Sequence, residues 1–141
     1  MADNISLEDI NTFTIQAPNK KDIIYNFCPQ ESWVLKGLFW SGKPNFEKDT
    51  AEIFFDRAVK ARTILDIGAN LGYYTYLAAA ANTKARVIAF EPIKYLAEKV
   101  RDNSLLNGFA QVTVIDQAVS DKKGEAPFYI NVKSPTMSTL S

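Results

Sequence analysis

The residues best suited to chemistry lie between Ile64 and Glu91. An apolar run stops at a carboxylate, Asp66, and enters a turn containing Gly68, Asn70 and Gly72, after which a tyrosine- and alanine-rich segment begins. Glycine admits positive φ and lets the main chain lie close to a ligand with no Cβ between them. Asparagine is a residue type that tolerates the left-handed conformation. The N–H groups at the start of a following helix suit an anionic or polar ligand group. A carboxylate repels phosphates, so Asp66 points to a nucleotide-like cofactor bearing an ammonium group rather than to a pyrophosphate. The alternative is a tight strand-to-helix turn that binds nothing.

A second carboxylate shifts that balance. Val87-Ile88-Ala89-Phe90 ends in Glu91-Pro92, close to the offset of about 20 residues at which an acidic residue meets ribose hydroxyls in dinucleotide-type folds. Each charge-assisted hydrogen bond to a diol contributes roughly 1.5–3 kcal/mol. Alone, Glu91 reads as a solvated strand end or a helix N-terminal acid. With the Asp66–Gly72 turn it favours a bound cofactor. Farther on, Asp116-Gln117-Ala118 ends a third apolar run. Gln117 suits an adenine amino edge, although chance polarity explains it nearly as well. Tyr95 and Lys99 have the Tyr-x-x-x-Lys spacing of short-chain dehydrogenases, but they fall directly after Glu91, too early in the chain for that chemistry. They read as a solvated helix face. Asp116 and Asp121 lie near the expected sheet edge, yet neither is singled out as a base, so no catalytic residue is assigned.

These residues need elements to hold them. Residues 12–17 alternate polar and apolar, a turn follows at Pro18–Asp22, and Ile23–Cys28 is extended, which predicts an N-terminal β-hairpin. Glu31–Trp40 is aromatic-rich and suits a short helix, broken at Ser41–Asn45. Asp49–Ala61 carries Ile53, Phe54, Ala58 and Val59 at helical spacing. Thr63–Ile67 is nearly all apolar, as in a central parallel strand covered on both faces. A helix over Leu71–Ala81, a strand over Val87–Phe90, a helix over Ile93–Leu106 and a strand over Gln111–Asp116 follow. In the second of these helices Ile93, Leu96, Ala97 and Val100 share a face, and Gly108 sits where a C-terminal cap belongs. The alternation predicts a doubly wound α/β sheet. Glu125–Asn131 is extended, with Pro127 favouring an edge, and the polar residues after it are expected to be mobile.

Composition narrows the partners. An apolar fraction of 47% and a charged fraction of 23% are those of a globular protein. Sixteen basic residues balance 16 acidic ones, so no global field attracts nucleic acid or an anionic membrane. No apolar stretch reaches the roughly 20 residues of a membrane span, and the acidic N-terminus lacks a signal core. A lone cysteine, Cys28, fits a reducing cytoplasm. Histidine is absent, which removes the commonest general base and the commonest metal ligand. No metal is expected.

Ile64-Leu-Asp-Ile-Gly-Ala-Asn-Leu-Gly-Tyr-Tyr-Thr75, Ala89-Phe-Glu-Pro92 and Ala118-Val-Ser-Asp121 with Gly124 resemble the signature of FkbM-type S-adenosylmethionine-dependent methyltransferases. Upstream, Asn45-Phe-Glu47 and the helix after it resemble the segment that leads into that domain. The resemblance implies a class I methyltransferase Rossmann-like sheet over residues 45–141, preceded by a hairpin and aromatic segment over 1–44. It also implies that Gly68, Ala69, Asn70 and Gly72 pass close to the methionine half of S-adenosylmethionine. Asp66 would face its ammonium, directly or through water, Glu91 would hold the ribose diol, and Gln117 and Ala118 would lie near the adenine. The expected reaction is O-methylation of a sugar or natural-product hydroxyl, with a small-molecule acceptor. Family members continue into a fourth strand with a Lys-Ile-Asp-x-Glu-Gly type motif that this sequence lacks. The expectation is therefore a sheet truncated after its third strand, with an open edge for a homodimer or a partner chain and doubtful catalysis by the isolated chain. Two alternatives remain: a non-catalytic cofactor-binding remnant or dimerising subunit, and an NAD-dependent oxidoreductase. The second predicts G-x-G-x-x-G, a spacing that Gly68-x-x-x-Gly72 does not have.

Overall fold

A computed structural model describes residues 11–27, 32–41, 47–129 and 139–140. Cys28, the break at 42–46 and most of the chain after Tyr129 lie outside the described residues. The elements run β1 (Phe13–Gln16), β2 (Asp22–Tyr25), α1 (Trp33–Ser41), α2 (Lys48–Lys60), β3 (Thr63–Ile67), α3 (Tyr73–Ala81), β4 (Arg86–Phe90), α4 (Lys94–Leu106), β5 (Val112–Ile115), β6 (Phe128–Tyr129) and β7 (Thr139–Leu140).

The parallel sheet has the order β3-β4-β5. Its register sets Asp66 beside Ala89 and Ile67 beside Phe90, with Phe90 beside Ile115 on the far side. Because side chains alternate between faces, Ile64, Val87 and Ala89 are buried on one face under the helices. Leu65 and Ile67 point to the other face and are 57% and 60% exposed. Among the described residues Thr63–Ile67 is thus an edge strand covered on one face, not a central strand covered on both. β4 takes the central place, since β3 has β4 as its one neighbour among the described residues.

The helix α3 is buried on nearly every side, through Tyr73, Thr75, Tyr76, Leu77 and Ala78–Ala80. Such a helix belongs inside a core. It is packed against α2 on one flank, while Tyr76 meets Tyr25 of β2 edge-on with ring centroids 5.2 Å apart. On α2 the buried row is Ala51, Phe55 and Ala58; Ile53 and Val59 are exposed. Of the stripe expected through Ile53, Phe54, Ala58 and Val59, Ala58 is buried and Phe54 packs against the core, whereas Ile53 and Val59 face outward. The buried i, i+4, i+7 row faces the core, and Phe54 beside it meets Tyr74 of α3 edge-on, with ring centroids 5.0 Å apart.

The hairpin forms as expected, with Phe13 opposite Tyr25 and Gln16 opposite Asp22. Its attachment to the helices is specific. Asn107 Oδ1 accepts from the Ile24 N–H and its Nδ2 donates to the Ile24 carbonyl, both at 2.7 Å. Asn103 Oδ1 accepts from the Asn26 N–H at 2.5 Å. Two amide side chains, one on α4 and one at its C-terminal cap, thereby pair with backbone groups of β2 and of Asn26 just after it. At the tip, Asn19 Nδ2 donates to the Ala80 carbonyl at 2.9 Å, satisfying an end of α3. One hydrophobic cluster joins Ile15, Ile23 and Tyr25 to Tyr76, Leu77 and Val100.

After β5 the chain forms a separate antiparallel ribbon, β6 with β7, pairing Phe128 with Leu140 and Tyr129 with Thr139. The tail expected to be mobile therefore contributes a strand at Thr139–Leu140. The rest of that tail lies outside the described residues. No helix among the described residues is long and apolar enough to cross a membrane.

Candidate cofactor site

The turn between β3 and α3 is built from left-handed backbone. Gly68 (φ 79°), Asn70 (φ 49°) and Gly72 (φ 78°) alternate with residues of ordinary φ. The Gly68 and Ala69 N–H groups both donate to the Phe90 carbonyl at 2.9 Å, and the Gly72 N–H donates to the Ala69 carbonyl at 2.7 Å. These bonds fasten the turn to the end of β4, which brings Glu91 beneath it. Glu91 is 4% exposed. Its Oε2 accepts from the Asn70 N–H at 2.7 Å and its Oε1 from the Ile93 N–H at 2.8 Å. One carboxylate thus ties the left-handed Asn70 to the entrance of α4. Burial raises its pKa above the ordinary value; the Ile93 and Asn70 N–H groups oppose that shift, and the charge of Asp66 adds to it.

Asp66 sits on the helix-covered face, where its Oδ2 accepts from Thr75 Oγ1 at 2.5 Å. Burial raises its pKa too, against the lowering effect of hydrogen bonds from the Thr75 side chain and backbone. On the outer side of α3, Tyr74 Oη donates to Glu47 Oε2 at 2.6 Å.

A cavity of about 410 Å³ opens beside the turn. From the residues singled out in the sequence it takes Gly68, Asn70, Glu91, Gln117 and Ala118 into its wall, so three separate strand ends converge on it. Asp66, Ala69 and Gly72 do not line it. Ile67, Phe90, Pro92, Ile93, Val119 and Phe128 complete the lining. Sequence reasoning passed over these six. Ile67 and Phe90 carried a signal, because each ends its strand on the face opposite Asp66 and Ala89. Phe128 carried none, since nothing in its neighbourhood predicts that the ribbon returns to the sheet edge.

The two turn glycines differ in the space beside them. A Cβ at Gly68 would meet no atom within 4 Å, so the backbone there faces open space. A Cβ at Gly72 would lie 2.5 Å from Tyr76 Cζ and 2.7 Å from its Oη, so that glycine makes room for the protein's own tyrosine. With an open glycine, a buried carboxylate and apolar walls, the cavity suits a ribonucleoside with a polar tail. Among the described residues no group of three or more acidic or cysteine side chains is arranged to hold a metal.

The fold is that of a Rossmann-like class I methyltransferase sheet, and the cavity lies at the carboxyl ends of its parallel strands. The family model described as Vibrio cholerae RfbT protein matches residues 27–140, and the chain belongs to that family. It is 28% identical over 135 residues to a tRNA U34 carboxymethyltransferase of Ruthia magnifica subsp. Calyptogena magnifica, covering 93% of this chain and 40% of that protein. The chain thus spans well under half the length of this curated relative. Among solved structures, it superposes on a SAM-dependent methyltransferase from Agrobacterium tumefaciens with a TM-score of 0.52 and 14% identity, over 77% of this chain and 33% of that one. A SAM-dependent O-methyltransferase from Thermotoga maritima gives a TM-score of 0.47 and 21% identity, over 81% and 43%. At 14% identity the likeness to the Agrobacterium structure concerns the fold alone.

Proposed function

We propose that the chain forms the cofactor-binding part of an S-adenosylmethionine-dependent methyltransferase. The observation that carries this reading is the buried Glu91 carboxylate in the cavity wall beside an open Gly68. Each carboxylate oxygen accepts one backbone N–H and keeps a lone pair for a ribose hydroxyl. Gly68 and Asn70 border the path of the methionine half, and Gln117 and Ala118 that of the adenine. Asp66, held by Thr75 and outside the wall, acts on the ammonium through water or through the field of its charge. When bound, the cofactor supplies an electrophilic methyl group on a sulfonium. The protein's part is to align donor and acceptor for in-line displacement and to exclude water.

The FkbM-type resemblance of residues 64–75, 89–92 and 118–121 supports a hydroxyl of a sugar or other small molecule as the acceptor. The tRNA in the relative's name is not extended to this chain, whose 16 basic and 16 acidic residues give no cationic footprint. A cofactor-binding subunit that pairs through its sheet is a second reading, favoured by the exposure of Leu65 and Ile67. Calorimetric titration with S-adenosylhomocysteine, with NAD in parallel, tests the first. Saturable binding of S-adenosylhomocysteine alone supports it, and binding of NAD alone or of neither contradicts it. Sedimentation analysis tests the second reading, for which a monomer at all concentrations is the contrary result.

A further inference from the structure

We propose that Phe128 is the aromatic wall on which the purine ring of the adenosyl cofactor stacks, and that it sets the preference for a nucleobase. This rests on the adenosyl reading above and deepens it. The cavity lining is polar at Asn70, Glu91 and Gln117 and apolar at its other side chains. If Glu91 takes the ribose, the base lies in the apolar part. Two aromatic rings line the cavity, Phe90 and Phe128. Phe90 belongs to the central strand β4 in the register of the sheet, whereas Phe128 comes from outside it, on the β6–β7 ribbon. In β6 the side chains alternate: Phe128 is half-buried at the cavity and Tyr129 is 62% exposed. Among the described residues the ribbon pairs with no strand of the parallel sheet, so Phe128 brings an aromatic side chain to the cavity from outside the sheet edge. Stacking on an aromatic face binds a flat base without reading its edge. Gln117, in the same wall, supplies an amide for the edge.

The test is titration of the chain and its variants with S-adenosylhomocysteine and with 5′-methylthioadenosine, which share the base and differ in the tail. Phe128→Leu and Phe128→Ala are expected to weaken both ligands by the same factor, about tenfold, as loss of a stacking face does. Phe128→Tyr retains the face and restores wild-type affinity, and Tyr129→Ala leaves it unchanged. Wild-type affinity in Phe128→Leu overturns the inference while leaving the adenosyl reading intact. Equal losses in Phe128→Leu and Phe128→Tyr, or in Tyr129→Ala, assign the ribbon a structural role and also overturn it. If the wild-type chain binds neither ligand, the adenosyl reading itself fails. Should Phe128→Ala not fold, the leucine and tyrosine variants decide.

Discussion

The two ends of the turn between β3 and α3 use the same residue for opposite purposes. Gly68 and Gly72 have nearly equal backbone angles, φ 79° and 78°. At Gly72 the space that a side chain would take is filled by the Tyr76 ring, which is itself fully buried. At Gly68 the same space is empty and continuous with the cavity. One glycine makes room for the core and the other leaves backbone open to the cavity, so the two serve different ends within one motif.

The largest effect should come from the packed end. Gly72→Ala places a methyl group against the fully buried Tyr76 ring and keeps a left-handed angle, which together cost about 2–5 kcal/mol. Denaturant unfolding should register a large fall in midpoint, and an unchanged midpoint would erase the distinction between the two glycines. Glu91→Ala comes next, because it strips the acceptor from the Asn70 and Ile93 N–H groups. A stability loss of about 1–3 kcal/mol should accompany at least a tenfold loss of affinity for S-adenosylhomocysteine. Unaltered affinity in the folded variant would remove Glu91 from the site.

At the open end, Gly68→Ala meets no protein atom, so only the backbone angle resists it, at about 1–2 kcal/mol. Its effect on ligand affinity should exceed its effect on stability, as comparison of calorimetric and unfolding data can decide. The smallest effect concerns Asp66. Its carboxyl has a raised pKa in the folded chain, chiefly through burial. The folded state therefore holds a proton that the unfolded state has released, over the window between the ordinary value of 3.8 and the raised one. That contribution to stability is complete below the ordinary value and is lost as pH rises through the folded value. Asp66→Asn should flatten this part of the stability profile between acid and neutral pH, and a slope that persists would place its origin elsewhere.

Much of this arrangement was legible in the sequence because it depends on local rules. The strand ending at Ile67, the turn glycines and the acid closing β4 each announce themselves through period and residue type. So does Gly108, which adopts φ 66° just after α4. The burial of Leu65 and Ile67 was misread, because an apolar run records a preference for cover without saying whether a neighbour supplies it. Asn103 and Asn107 drew no notice, since an asparagine in a helix carries no sign that it will meet a strand from the other end of the chain. The difference between Gly68 and Gly72 was equally hidden. It depends on the direction of the Tyr76 ring, one turn into α3.

The central claim is that the cavity beside Gly68 and Glu91, rather than any other surface, receives an adenosyl ligand. The most direct measurement is titration of the isotopically labelled chain with S-adenosylhomocysteine, followed through its backbone amide resonances. The account predicts saturable shifts at Gly68, Asn70, Ile93 and Gln117–Val119, with Ile24 and Asn26, held by the α4 asparagines, unmoved. Shifts confined to the hairpin, or no shifts in a folded chain at millimolar ligand (a Kd of 1 mM corresponds to about −4 kcal/mol), would contradict it.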